Sequence, residues 1–291
     1  MKPLDEQTLI VCGIVRDAEH GLRHNIPVID ALCKRVKDYH ILIYENDSKD
    51  HTKALLSQWH QRDRGRIHVS LNDTDPTRTI PSARSVACNP FYSRRRIEKM
   101  ARLRNQYMAY VDAQGWTADY MLVVDMDVAQ LRLEGILDTL RSERAWDAVV
   151  ANGYSTSPKL RRRYHDTYAL TMWGDEANPQ TEGKIRTWAD RLGKLRPGDE
   201  WIRISSGFGG LAVYRFEAVS GLRYRVLPNA DKRVEVRCEH FSLYAQMRDR
   251  GFDRFYINPA MELKYQRLTP QIVWESMIRQ ISSQISFSTK K

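Results

Sequence analysis

Cysteine is scarce in this 291-residue chain, and its four thiols, Cys12, Cys33, Cys88 and Cys238, stand far apart. No two form a C-x-x-C pair, which excludes a disulfide framework and the common zinc spacings and fits a reducing compartment. Long apolar runs are lacking too. No stretch approaches the roughly 18 apolar residues that span a bilayer. The N-terminus carries Lys2, Asp5 and Glu6, and the run Leu9 to Val15 is short, holds Gly13 and stops at Arg16. It reads as a strand rather than a signal peptide, and a cytoplasmic protein is expected. There is no internal repeat and no low-complexity linker, so one domain with two lobes is the economical organisation. Zinc-finger spacings and RNP-like motifs are also missing, which argues against nucleic acid as a partner.

What is present is charge and a sufficient apolar fraction. Lys and Arg number 46 against 36 Asp and Glu, a net charge of +10, while 42% of residues are hydrophobic. Such a chain has the material for a core and is not disordered. The basic excess attracts acidic partners such as nucleotide diphosphates, nucleic acid or an anionic membrane surface; the plainer account is solubility.

Strand and helix signals alternate through the first third. Thr8–Val15 is a strand, and Asp17 to about Tyr39 has helical spacing, with Pro27 in its first turn or breaking it. His40–Tyr44 is a strand, Thr52–Gln61 a helix and Ile67–Leu71 a strand. Residues 73–93 form a long polar loop with Pro76, Pro81 and Pro90. A strong helix over Arg94–Gln114 precedes the strand Tyr120–Val124, the helix Leu133–Arg141 and the strand Asp147–Ala151. Residues 155–203 show little periodicity and read as an irregular acceptor-side region. Beyond them come a glycine-rich turn, the strand Leu211–Tyr214, a helix near Ser242–Arg250 and the strand Phe255–Ile257. This order predicts an α/β fold with a mixed, mostly parallel sheet covered by helices.

Chemistry concentrates in a few places. Residues two apart on a strand share a face, so Met121, Val123, Asp125 and Asp127 line one side and Leu122, Val124 and Met126 the other. Two carboxylates closing an apolar strand are costly unless compensated, and a hard divalent cation on a diphosphate would compensate them. A solvated acidic turn is the plain alternative. Glu45, Asn46, Asp47 and Ser48 follow the strand HILIY, where open α/β sheets bind ligands. Glu45 or Asp47 suits a ribose or base, while Ser48 or Asp50 suits a helix cap. Arg104 falls within the apolar stripe Ile97, Met100, Ala101, Tyr107, Met108, Val111. It needs an anionic partner there, a diphosphate or the carboxylate pair, unless it snorkels at the stripe's edge. Arg94, Arg95 and Arg96 form either a solvated face or a phosphate or lipid contact. Ser205 to Gly210 is neither a P-loop nor G-x-G-x-x-G, and a tight turn explains it. Glu239, at a helix N-terminus, should remain ionised; it suits a base, a hydroxyl acceptor or a metal contact, and His240 beside it is a third metal ligand or a structural histidine.

These segments together resemble GT-A glycosyltransferases, in particular the family of the cryptococcal capsule α-1,3-mannosyltransferase, glycosyltransferase family 69. RIEKMARLRN (Arg96–Asn105), YMLVVDMDV (Tyr120–Val128), YHDTYAL (Tyr164–Leu170), ISSGFGGLAVY (Ile204–Tyr214) and CEHFSLYAQMRDRGFDRFYINP (from Cys238) match that family's segments in order. The Cys-Trp-Asn core of the family's fourth segment is replaced here, and His240 stands where the family has a Cys.

The resemblance implies a Rossmann-like GT-A domain over residues 1–291, with a nucleotide-sugar lobe at 1–128 and an acceptor-side lobe at 129–291. It implies Mn²⁺ or Mg²⁺ and transfer of a sugar, mannose from GDP-mannose in characterised members, to a glycan or glycolipid acceptor in surface polysaccharide synthesis. Arg16, Glu45, Asp47, Arg104, Asn105 and Asp125 are then expected on the donor. Asp125, Asp127 and His240 are expected at the metal, and Glu239 and Asp166 at the sugar and acceptor. Peripheral contact with the inner membrane face through basic residues accompanies this picture. A nucleotidyltransferase or nucleotide-sugar hydrolase with the same acidic site is the alternative enzyme, and a nucleic-acid or membrane-surface binder the alternative without catalysis.

Overall fold

A computed structural model describes residues 2–73, 89–157 and 161–266, with the single residues 270 and 274. Of the loop expected at 73–93, residues 74–88, Cys88 among them, lie outside the described residues. The elements run β1 (Thr8–Val15), α1 (Glu19–Cys33), β2 (Asp38–Asn46), α2 (Thr52–Arg62), β3 (Ile67–Asn72), α3 (Arg94–Ala113) and β4 (Tyr120–Val124). Then follow β5 (Gln130–Leu131), α4 (Leu133–Arg141), β6 (Ala148–Thr156), β7 (Arg162–Tyr164), β8 (Thr171–Met172), α5 (Glu182–Leu192), β9 (Ile202–Ser206), β10 (Leu211–Arg215), α6 (Phe216–Val219), α7 (Glu239–Asp249) and β11 (Phe255–Lys264).

All eleven strands join one mixed sheet, whose main path is β3-β2-β1-β4-β10-β6-β11-β9-β8. The first half is parallel: β1 pairs with β2 and β4, and β2 with β3. β10 inserts antiparallel between β4 and β6, and β6 then pairs parallel with β11. Chain order reverses at β1, with β2 on one side and β4 on the other. The crevice at the carboxyl ends of those strands is where open α/β sheets bind ligands.

Strand alternation sends side chains to two cores, one on each face of the sheet. Met121 and Val123 join Ile10, Cys12, Tyr107 and Tyr214 on one face. Leu122, Val124 and Met126 join Leu9, Val11, Ile29 and Trp59 on the other. This is the division expected from the period of two.

Two local expectations are corrected. Pro27 neither ends α1 nor sits in its first turn, for the helix runs through it. Pro27 and Arg23 are exposed, so the turn where Pro27 has no amide to donate lies on the outer side of the helix. α1 instead ends at Cys33, short of Tyr39, which belongs to β2. The region 155–203 is not irregular throughout, because it contains α5. Thr181 caps that helix by accepting the Lys184 amide at 3.2 Å, and Ala189 and Leu192 are buried. No described helix is long and apolar enough to cross a membrane.

Candidate active site

A cavity of about 800 Å³ opens at the reversal point, between the carboxyl ends of β1 and β4. Arg16 and Asp17 line it just after β1, Asp125 and Asp127 just after β4, Arg104 from α3, and Glu239 from the start of α7. Asp166 and His165 close the far side.

The acidic turn is held by groups that are themselves fixed. Asn25 of α1 is buried, and its amide donates to the Met126 and Val128 carbonyls at 3.2 and 2.7 Å. Its oxygen accepts the Leu131 amide at 3.0 Å. Gly21, one turn earlier, lets α1 approach so closely that a Cβ there would lie 2.6 Å from the Met126 carbonyl. From the other side, the Asp125 amide donates to Gly210 at 2.9 Å. Gly209 has φ +65, and a Cβ on it would meet the Ala151 carbonyl at 2.4 Å. The glycine-rich segment is therefore a tight turn packed under Asp125, as its sequence implies.

Arg104 is 2% exposed, which excludes snorkelling. Its Nε donates to Glu239 Oε1 at 3.0 Å, and Nη2 lies 3.5 Å from Asp125 Oδ1. The guanidinium lies 4.7 Å from the Phe208 ring centroid. Nη1 is buried with no hydrogen-bond partner. A desolvated donor without a partner costs free energy unless a ligand satisfies it.

The carboxylates diverge in acidity. Burial pushes Asp125 up to about 8; Arg104 opposes the shift and Asp127, Asp166 and Glu239 add to it. Asp127 is raised, chiefly by desolvation from the surrounding cavity walls, although the residue itself keeps contact with solvent. Burial and Glu239 push Asp166 up to about 7, against Arg104 and Arg96. Glu239 goes the other way. Burial opposes its charge, but His240, Arg104 and Arg96 hold it down to about 2. His240 is pushed down to about 3 by burial and so is neutral near pH 7, which leaves Arg104 as the lasting partner of Glu239.

Backbone strain collects at the same place. Asp17, Asp47 and Asp166 are the non-glycine residues with positive φ among those described, at 49, 57 and 61°. Asp17 and Asp166 line the cavity, and Asp47 is next to Asn46, which does as well. Strained residues of this kind gather where geometry serves a ligand.

The structure thus brings together Arg16, Arg104, Asp125, Asp127, Asp166, Glu239 and His240 from the sequence reading. Three other candidates sit elsewhere. Glu45 is fully buried; one oxygen accepts the Ser48 amide at 2.7 Å and the other has no partner. Asp47 accepts from the Asn46 amide at 3.1 Å and does not line the cavity. Asn105 has both its donor and its acceptor tied to the Tyr224 backbone, at 2.9 and 2.8 Å, outside the cavity. Asp50 is the cap: its carboxylate accepts the first-turn amides of Thr52 in α2 and Glu19 in α1, both at 3.0 Å.

His240 lines the cavity with Asp125 and Asp127, its ring stacked on Phe208 at 4.1 Å between centroids and meeting Tyr224 edge-on. No cluster of three or more His, Cys, Asp or Glu arranged to hold a metal ion occurs among the described residues. Asn46, part of the cluster singled out after β2, lines the cavity; the residues that sequence reasoning passed over are Asp17, Tyr92, His165 and Tyr265 in the lining, and Asn25 behind the turn. Asp17 follows directly on the strand-ending Arg16, a position that could have pointed to it.

An acidic turn thus stands at the reversal point of the mixed sheet, faced by a buried arginine. The chain belongs to the cryptococcal mannosyltransferase 1 family, whose model matches residues 15–243. The family is one of mannosyltransferases, and the nucleotidyltransferase or hydrolase reading is not favoured. No curated protein matches the sequence. Among solved structures it is similar to the mannosyltransferase PcManGT from Pyrobaculum calidifontis in complex with GDP-Man and Mn²⁺, at 10% identity and a TM-score of 0.48, covering 91% of this chain. The chain spans 58% of that protein's length. It is also similar to glucosyl-3-phosphoglycerate synthase from Mycobacterium tuberculosis, in a complex with Mn²⁺, UDP and glucosyl-3-phosphoglycerate. There the identity is 13% and the TM-score 0.45, with 96% of this chain and 78% of that one covered. S. aureus TarS is a third, at 10% identity and a TM-score of 0.47, with 93% and 38% covered.

Proposed function

We propose that the cavity binds a nucleotide-sugar, GDP-mannose by family, and that the enzyme transfers its sugar to a hydroxyl of a glycan or glycolipid in surface polysaccharide synthesis. The observation that carries this reading is the pairing of a strand-end Asp125–Asp127 turn with a buried arginine whose Nη1 lacks a partner. The first calls for a cation and the second for an anion, and a metal-bound diphosphate supplies both. Residues 1–128 act as the nucleotide-sugar lobe and 129–291 as the acceptor-side lobe.

The donor set fits a hard divalent cation. Asp125 and Asp127 are oxygen ligands, and burial, with Asp127, Asp166 and Glu239 adding to it, raises Asp125 beyond what Arg104 offsets. Mn²⁺ or Mg²⁺ held by these two would supply Lewis-acid neutralisation of the diphosphate. The chain's own groups do the rest. Arg104 donates to the departing phosphate while Glu239 and Asp125 hold it in place. Arg16, Asp17 and Asn46 border the nucleoside side of the cavity. The acceptor oxygen bonds to the anomeric carbon as the bond from that carbon to the phosphate oxygen breaks, and the electron pair leaves on the diphosphate.

Where the configuration inverts, the hydroxyl proton needs a base. Asp166, at about 7, is matched to that work near neutral pH, whereas Glu239, at about 2, is a weak base and a firm partner for Arg104. Incubation with a panel of nucleotide-sugars and Mn²⁺, with and without cellular glycolipid, tests the proposal. Acceptor-dependent release of GDP is expected. Turnover indifferent to acceptor would instead favour the hydrolase reading.

A further inference from the structure

A second cavity, of about 470 Å³, lies against the first. Tyr92, His165 and Asp166 line both, so the two spaces share a wall. Asp166 stands in that wall with its backbone in the left-handed region. The chemistry of the two cavities differs. The first mixes five carboxylates with Arg16, Arg96, Lys99 and Arg104, whereas the second gathers Arg163, Arg186 and Arg233 against the carboxylates of Asp166 and Glu182.

These three arginines come from separate segments: Arg163 from β7, Arg186 from α5, and Arg233 from the stretch between α6 and α7. A charge run along one helix face would be a solvated surface; convergence from three segments on one concavity is how a ligand site is built. Two of the forks are also fixed in place. Arg163 Nε lies 2.9 Å from Asp190, and Arg233 Nε lies 3.1 Å from Glu182. Glu182 is steadied in turn by the Asn89 amide at 2.8 Å. Arg186 is exposed and has no carboxylate within ion-pair distance among the described residues. A guanidinium carries five N–H donors, so Arg163 keeps further donors beyond its Asp190 pair and the 3.5 Å contact of Nη2 with the Arg186 carbonyl, and Arg186 adds a second fork to the same lining. Planar forks of this kind grip phosphate and carboxylate groups in two-point contacts.

We infer that the second cavity is the acceptor subsite and that it takes a sugar carrying a phosphate or carboxylate group. The arginines hold the anionic group, and the hydroxyl that receives the sugar reaches over the shared wall at Asp166. A volume of about 470 Å³ accommodates a mono- or disaccharide. This inference rests on the donor reading of the first cavity.

The test uses the full chain with GDP and Mn²⁺. Mannose 6-phosphate, methyl glucuronide and neutral methyl mannoside serve as probes, read by saturation-transfer NMR and calorimetry. At least one charged probe should bind about 10-fold or more tighter than the neutral one, the scale of a charge-assisted hydrogen bond. A response to the phosphate arm alone identifies phosphate as the group, and a response to both arms identifies any compact anion. Arg186→Ser combined with Arg233→Ser should lose about 10-fold or more of that binding, with GDP affinity unchanged. The corresponding Lys pair should recover part of it, since lysine keeps the charge and loses the fork. Arg186→Ser alone guards against misfolding, because that side chain is exposed.

Equal or tighter binding of the neutral probe would overturn the inference, as would charged-probe binding that survives the Ser pair. Failure of the unaltered chain to bind GDP at all would overturn the donor reading itself, and the acceptor assignment with it.

Discussion

Two aspartates bracket β4, and their surroundings are opposite. Asp119, at the entry, accepts Lys2 Nζ at 2.6 Å and the Thr8 amide and hydroxyl at 2.8 and 3.0 Å. Burial works against its charge, but these donors more than offset it and its pKa is lowered. Asp125, at the exit, has Arg104 at 3.5 Å and three acidic neighbours, and it is pushed up to about 8. β6 repeats the entry pattern. Asp147 accepts the Arg254 amide at 3.0 Å and its guanidinium at 2.6 and 3.1 Å, and its pKa is lowered despite burial. One end of the sheet matches its carboxylates with donors, and the other crowds them around a buried arginine. Burial acts in the same direction at both ends, so the hydrogen-bond donors decide the outcome. Crowding that the free protein does not relieve is the signature of a site built for something else to complete.

The sharpest way to break this contrast is to split the buried pair. Glu239→Leu leaves Arg104 inside the protein with Asp125 as a poor substitute, and should cost about 3–5 kcal/mol in urea unfolding. Adding Arg104→Met should restore most of that loss, because a well-packed apolar pair avoids the desolvation of two charges. A Glu239→Leu protein as stable as the parent would mean that the pair does not hold the site together. Next in size is Asp127→Ala. Its exposed carboxylate contributes little packing, so transfer should fall by about 10²-fold or more while the melting temperature in chelator holds or rises. Asp119→Ala should do the reverse, lowering the melting temperature and leaving turnover per folded molecule near normal. Smaller again is Asp147→Asn. It weakens acceptance from Arg254 and should cost about 1–3 kcal/mol, whereas Asp125→Asn at the crowded end should stabilise the metal-free protein at pH 8.

The crowded end was legible in the sequence; the matched end was not, for neither Asp119 nor Asp147 stands in a pattern that marks its donors. The strand over Tyr120–Val124, the two faces of β4 and the place of Arg104 in an apolar stripe follow from periods of 2 and 3.6, while its burial, against snorkelling at the stripe's edge, was decided only by the packed structure. Other features were harder to read. α5 carries Ile185, Trp188, Ala189 and Leu192 at helical spacing behind a Thr181 cap, yet Gly183, Gly193 and a flood of arginines mask the stripe. Glu45 looked like a ligand-binding group, but β2 turns it inward to accept the Ser48 amide. Asn105 sits one residue beyond Arg104, which on a helix is about 100° around the axis, and so faces Tyr224 rather than the cavity. Asn25 had no local signal at all, because its partners lie more than 100 residues away.

The smallest effect is the pH dependence of stability, and its sign separates the two ends. Asp125 and Asp166 are raised in the folded protein, to about 8 and about 7. The folded state therefore holds their protons where the unfolded chain, with carboxyls near about 4, does not. Stability from these groups is complete below about pH 4 and is lost as the pH rises through 7 and 8. Asp119 and Asp147 are lowered, so their stabilisation is present above about pH 4 and is lost only as the pH falls below that. His165 and His240, pushed down to about 4 and 3 by burial, lose stability as the pH falls below about 6.5, which opposes the aspartates there. Between pH 7 and 8 the acidic end dominates. The melting temperature of the metal-free protein should drop by a few degrees over that unit, from about 1 kcal/mol spread over a chain of this size. Asp125→Asn should flatten the slope, and Asp147→Asn should leave it intact. Saturating Mn²⁺ should flatten it as well, since a cation bound only to the folded state takes the place of the proton. Scanning calorimetry at pH 7.0, 7.5 and 8.0, with chelator and then with Mn²⁺, measures all of these slopes. An unchanged slope in the Asp125→Asn protein would mean that the crowded end is not where the proton sits.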